Sequence, residues 1–312
     1  MEKCAKDQSI RFFEHKYRIN CRAVSREERL NMRNKKESHN GIATLPWCGY
    51  ADDLILFLID QIGLQKATVL LDETFTNFGL AINVLKTETM VINHKYTLDN
   101  DYPTGIVKLQ EKLLNNVKEF KYLGSYLHAD EPSTGDVEIN HRIQMANAKF
   151  AELSNLLQNS RIHLKTRIRF LNSFVRSRLT YACQNWNLKS AQYDRLDVAY
   201  RLLLRRMVRG GFKRSGDDDE NSFKYKFSNE KIHSICGTHN VSDFIKNQQK
   251  NYAGHLVRTS AERSTKKLLF NEDKCTKAGR GVPNLLEQVL VNNNKTMDAF
   301  VNDAMKVTGN RR

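Results

Sequence analysis

Apolar positions along the chain change their spacing more than once. Residues 42–48 and 54–59 are short apolar runs on either side of Gly49-Tyr50-Ala51-Asp52-Asp53, a pattern that predicts a β-hairpin with buried flanks and an exposed polar turn. Leu64, Ala67, Leu70, Leu71, Phe75 and Phe78 then recur at helical spacing and stop at Gly79, a natural position for a left-handed cap. Residues 80–93 alternate and are rich in branched side chains, and residues 120–127 read as a second short hairpin turning at Gly124. Strands and a helix interleaved in this way predict an α+β unit.

Beyond Pro132 the pattern turns helical, with only Pro283 left to interrupt it. Ile139, Ile143, Ala146, Phe150, Leu153 and Leu157 repeat at intervals of three and four, and Ser133, Thr134 and Asp136 are candidate caps upstream. Two more helices are expected over 166–186 and 192–208. The predicted organisation is a strand-and-helix segment over 1–128, a helical bundle over 129–210, a polar linker over 211–230 and a basic helical segment over 231–312. No repeat of solenoid period is present.

Charge narrows the function classes. The 312 residues hold 50 Lys plus Arg against 35 Asp plus Glu, a formal net charge of +15 on an otherwise ordinary foldable composition. Such an excess favours polyanions as partners. Much of it falls between Val137 and Arg209, where fourteen Lys or Arg face four acids. The aromatic residues interleaved there (Phe170, Phe174, Tyr181, Trp186, Tyr193 and Tyr200) are expected in the core, leaving the arginines to carry binding. The longest apolar run, 54–59, is too short to span a bilayer, so no membrane association is expected. The charged start differs from a signal peptide, and the six scattered cysteines form no CxxC. Reduced thiols in the nucleus or cytoplasm, without secretion, are the expectation. His233, Cys236 and His239 lie within seven residues, but their spacing matches no common zinc finger; a core cysteine with surface histidines is the other reading.

Two adjacent carboxylates on a turn between strands can hold a hard divalent cation, because Mg2+ takes one or two protein carboxylates and completes its shell with water and substrate phosphates. A solvated Asp-Asp turn has the same residues, so context must decide. Tyr50-Ala51-Asp52-Asp53 resembles the YADD box of reverse transcriptases. Gly79-Leu80-Ala81-Ile82-Asn83 with Lys86-Thr87-Glu88-Thr89-Met90 is similar to the palm motif that follows it, and Phe120-Lys121-Tyr122-Leu123-Gly124-Ser125 resembles the primer-grip hairpin. Order and spacing both match. Residues 138–159, 166–186 and 200–212 are similar to the region after the palm in RTE-type non-LTR retrotransposons.

The resemblance implies a partial polymerase palm, a short antiparallel sheet with a helix, followed by an all-α basic bundle that acts as a thumb. By it, Asp52 and Asp53 would hold Mg2+ or Mn2+, and Lys86 would face the triphosphate of a deoxynucleotide. Tyr50, Leu123 and Gly124 would line the nucleotide or primer end. Arg167, Arg169, Arg176, Arg178, Arg201 and Arg205 would grip an RNA template or RNA:DNA hybrid through its backbone. The family's upstream aspartate and Gln-Gly motif have no counterpart before Tyr50, where Asp7 is the one aspartate. A chain with one acidic platform is expected to be silent in nucleotide addition on its own. A non-catalytic nucleic-acid-binding remnant is the alternative.

Overall fold

The computed structural model describes residues 13–18, 40–45, 47–92, 105–130, 135–209, 212–214, 223–225, 227–260, 263, 265–266 and 285–306. The chain is α+β and divides into two compact units. One comprises Met1–Pro132, Gly254–Gly281 and Lys295–Arg312, the other Ser133–Ala253 and Val282–Asn294. Among the described residues no helix is long and apolar enough to cross a membrane.

In the first unit, β1 (Phe13–Arg18) pairs antiparallel with β2 (Asn40–Leu45), and β3 (Trp47–Tyr50) with β4 (Asp53–Leu56). Helix α1 (Gln61–Asn77) begins where the Asp60 side chain accepts the Gly63 N–H at 2.7 Å. It ends in a Schellman motif: Leu80 N bonds Phe75 O, Gly79 N bonds Thr76 O, and Gly79 takes φ +71° as its sequence position predicts. Ala67 and Leu71 on the buried face of α1 are covered by Leu56, Leu58, Leu70, Phe75 and Ile82. A second small core forms from Val107, Leu109 and Leu114 with Leu64, Ile82, Val84 and Ile106. Ile82 belongs to both and joins them. Gln65 behaves as a strand neighbour, donating to Lys108 O at 2.8 Å and accepting from Lys108 N at 2.7 Å.

The alternation over 80–93 predicts a strand that forms only in part. Asn83 Oδ1 accepts the N–H groups of Leu85 and Lys86 at 3.1 and 3.2 Å, and Thr87 Oγ1 donates to Asn83 O at 2.8 Å. This side-chain capture bends the backbone into a turn in competition with a ladder. Pairing resumes at β5 (Glu88–Thr89), parallel to β8 (Asn115–Asn116). Between them, β6 (Lys108–Leu109) and β7 (Lys112–Leu113) make a small ribbon, and β9 (Glu119–Tyr122) and β10 (Ser125–His128) form a hairpin.

The second unit is a helical bundle built from α2 (Asp136–Glu152), α3 (Leu164–Phe170), α4 (Ser190–Met207), α5 (Asn229–Cys236), the Val241–Ala253 part of α6 (Val241–Val257), and α7 (Leu285–Asn292). In the first unit, α8 (Met297–Lys306) buries Phe300, Val301 and Ala304. Ile139, Ala146, Phe150 and Leu157 are fully buried with Leu171, Val175, Leu179, Leu196, Tyr200, Leu203 and Leu204. The predicted capping residues Ser133 and Thr134 lie outside the described residues. The N-cap of α2 is Gly135, and Asp136 is its first residue; Asp136 meets Arg195 at 2.5 Å and accepts from Gln192 at 3.2 Å, tying α2 to α4. Asp197, itself buried, accepts Ser242 N at 2.9 Å and Ser242 Oγ at 2.7 Å, which anchors the first turn of α6. The expected helix over 166–186 is shorter, and its middle, Leu171–Arg176, is a π-helix that continues as Ser177–Leu179. The expected linker over 211–230 includes a short antiparallel ribbon, β11 (Phe212–Arg214) with β12 (Phe223–Tyr225), because two alternating Phe-Lys segments flank its polar centre.

Candidate functional site

The acidic pair stands at the tip of the β3–β4 hairpin. Tyr50 opposes Asp53, so Ala51 and Asp52 form a two-residue loop, and both carboxylates are exposed. Ala51 sits at φ +51°, a left-handed conformation that favours glycine and strains an L side chain. The tight loop therefore holds the two acids at a fixed offset. Gly49 lets the Trp47 ring lie close beneath it, since a Cβ there would be 2.9 Å from that ring and would displace it. The hairpin's flanks differ from the buried strands predicted. Trp47 is 42% exposed, Leu54 37% and Tyr50 67%. Among the described residues no third strand pairs with β3–β4, and a two-stranded ribbon can bury at most one face.

The other two segments lie in the same unit. The turn at 79–83 is fixed by Ile82 in the core under α1. Lys86 follows on the exposed side of the Asn83 turn and, among the described residues, forms no ion pair with either aspartate. At the β9–β10 hairpin, Leu123 and Gly124 take φ +47° and +86°, the signature of a type I′ turn. Burial raises the pKa of Tyr122 at the base of this turn, and the Cys48 thiol and Asp53 carboxylate raise it further. Sequence reasoning did not single out Tyr122; it lies one residue before Leu123, on the strand rather than in the turn.

The arginines separate into two groups. Arg167 points inward, donating from Nε to Ile162 O at 3.0 Å and from Nη1 to Leu157 O at 3.2 Å and Met207 O at 3.1 Å. Arg205 is 4% exposed and donates to Asn229 Oδ1 at 2.8 Å and Phe227 O at 3.3 Å. Both close helix ends and loops, so neither reaches an external phosphate. Arg176 lies 4.4 Å over the Phe244 ring, and Arg201 donates to Asn240 at 3.2 Å; both are half-buried. Arg169 and Arg178 are exposed, as are Lys165 and Arg161. The expectation that the aromatics form the core fails at two positions. Trp186 and Tyr200 are buried, but Phe174 is 45% and Tyr181 47% exposed. The π-helix places an extra residue in the turn and shifts the helix face, which a regular period does not reveal.

The three soft ligands do not assemble. Cys236 is buried with its thiol pushed up to about 11 by desolvation, the His233 imidazole shares a 3.1 Å hydrogen bond with Thr238 Oγ1, and His239 is exposed. Among the described residues no group of three or more His, Cys, Asp or Glu is placed to hold a metal. Asp52 and Asp53 are two exposed carboxylates on one turn, enough to give a hydrated divalent cation one or two protein ligands and too few for a two-ion site. No family model, curated protein or solved structure matches the chain.

Proposed function

We propose that this chain is a palm-and-thumb portion of an RNA-directed DNA polymerase of non-LTR retrotransposon type. The observation that supports the reading most is that three ordered segments fall in one unit: the exposed Asp52–Asp53 turn, the turn fixed by Ile82, and the β9–β10 hairpin that turns at Leu123 and Gly124. Asp52 and Asp53 would hold one Mg2+ or Mn2+. When bound, that ion supplies charge neutralisation at a phosphate oxygen. Lys86 would present its ammonium to a triphosphate, and Tyr50 would flank the incoming nucleotide. Leu123 and Gly124 would bring backbone close to the primer end. Arg169 and Arg178, with Lys165 beside them, would grip the backbone of an RNA:DNA duplex.

With no group of three or more acidic, histidine or cysteine side chains placed to hold metal among the described residues, the purified chain is expected to bind template–primer and not to extend it. The non-catalytic binding reading is favoured by the same observation, and the two separate at Asp52. In the polymerase reading, Mn2+ selectively broadens nuclear magnetic resonance signals from residues 50–53, and Asp52→Ala removes the effect. In the remnant reading no such broadening occurs. Both require heteroduplex affinity that falls about 10²-fold between 50 and 200 mM salt, as about four phosphate contacts would give. A flat salt response would overturn both. Extension above background that is lost in Asp52→Ala would overturn the expected silence and establish a complete catalytic centre.

A further inference from the structure

The outward face of the helix over residues 164–179 carries, among the cations that the duplex reading uses, aromatic rings that it does not. Lys165, Arg169, Ser173, Phe174, Ser177 and Arg178 are exposed along it, and Tyr181 is exposed just past its end. Each of the two aromatic rings is braced from within the unit. Phe174 stacks on Phe170 with centroids 6.0 Å apart and planes inclined by 15°. Tyr181 lies 4.7 Å from the guanidinium of Arg142, which is itself buried and held by Glu138 at 2.7 Å. Both rings nevertheless remain nearly half exposed.

Exposed aromatic rings have several explanations, and charge chooses among them. From residue 153 to residue 193 there is no Asp or Glu, while seven Lys or Arg occur. An apolar protein partner would gain nothing from so one-sided a field. A membrane-inserting face would need contiguous apolar residues, and here serines and cations separate the rings. Rings interleaved with cations are the combination that recognises unpaired bases, because every base has a π-face to stack and a phosphate nearby to pair. An A-form duplex keeps its bases stacked on one another and offers such rings little. The bracing matters too: rings already held in place lose little freedom when a base stacks on them.

We infer that Phe174 and Tyr181 form a stacking platform for single-stranded RNA or DNA, flanked by Lys165, Arg169 and Arg178. In the proposed function, on whose nucleic-acid reading this inference rests, the platform takes the unpaired strand that adjoins the duplex.

The test compares the full chain's affinity for a blunt RNA:DNA duplex, the same duplex with a single-stranded RNA or DNA extension, and each single strand alone, with 2-aminopurine in the unpaired strand. The platform predicts tighter binding when an extension is present and quenching of 2-aminopurine on binding. Phe174→Ala and Tyr181→Ala should each lower single-strand affinity by roughly 5- to 150-fold, the range for one stacked base, with the salt slope unchanged. Phe174→Trp and Tyr181→Phe should retain it. Each ring packs on a neighbour within the unit, so melting temperatures measured alongside separate a loss of fold from a loss of stacking. RNA and DNA extensions, run side by side, identify the strand. Equal affinity with and without an extension, or alanine variants that bind and quench as the parent does, would overturn the platform while leaving phosphate binding in place. Self-association lost in Phe174→Ala, with no single-strand preference, would also overturn it. A flat salt response with every substrate would instead remove the nucleic-acid reading beneath it.

Discussion

The strand-bearing unit and the helical unit bury their apolar residues in different ways. In the bundle, Phe150, Leu171, Leu196, Tyr200 and Leu204 form one continuous core, and buried charges beside it are held in pairs at Glu138–Arg142 and Asp197–Ser242. In the strand unit, the clusters around Ala67 and Val107 are small and meet at Ile82, while Trp47, Tyr50 and Leu54 stay in contact with solvent. Hydrophobic stabilisation grows with the area removed from water, so the bundle is the stable body and the ribbons depend on what else covers them. A turn that presents acids to solvent is compatible with a thin sheet. A cationic face whose side chains must keep their aim is better served by a packed bundle.

The sharpest way to break this contrast is to remove apolar volume from each unit. Phe150→Ala should cost about 3–5 kcal/mol, the range for a fully buried aromatic, whereas Leu54→Ala on the half-exposed ribbon should cost about 1 kcal/mol or less. Urea unfolding of the two variants measures both, and equal losses would erase the distinction. A smaller effect probes the hairpin itself. Ala51→Gly relieves the left-handed strain at φ +51° at the expense of chain entropy, so unfolding should shift in favour of the folded state by a few tenths of a kcal/mol. A destabilised variant would show that the turn does not hold that conformation.

The weakest expected effect lies in the bundle at His233. Desolvation is the largest cause depressing its pKa below the usual 6.5, and its Nε2 is buried without a hydrogen-bond partner. The unfolded chain therefore binds this proton more readily than the folded one. Stability from this group is fully present above pH 6.5 and declines as pH falls through the depressed value. Comparing the parent with His233→Asn at pH 7.5 and 5.5 should show a smaller loss on acidification in the variant; identical losses would contradict the assignment.

Much of the bundle is legible in the sequence because Ile139, Ala146, Phe150 and Leu157 carry an uninterrupted helical period and the structure buries all four. The Asp52–Asp53 turn is legible for a similar local reason: two apolar runs with a short polar interval leave little choice but a hairpin. The alternation over 80–93 misleads because one side chain, Asn83, captures the backbone and replaces the strand with a turn. Arg167 and Arg205 look like surface cations in sequence, but carbonyls from residues far along the chain, Met207 and Phe227, draw them inward. Pairings at that separation leave no periodic trace. The exposure of Phe174 and Tyr181 was hidden for a third reason, a change of helical pitch within a single element.

The π-turn at Leu171–Arg176 behaves as a built-in insertion, and it makes the length of this helix as informative as its composition. Deleting one residue such as Ser173 would restore an ordinary pitch and leave the residues downstream on their present faces, whereas deleting one from the regular turn of Leu164–Phe170 would rotate everything after it by about 100°. Leu179 would swing out of the core and Arg178 would turn with it. A deletion there would thus scramble which residues look outward without altering any of their identities.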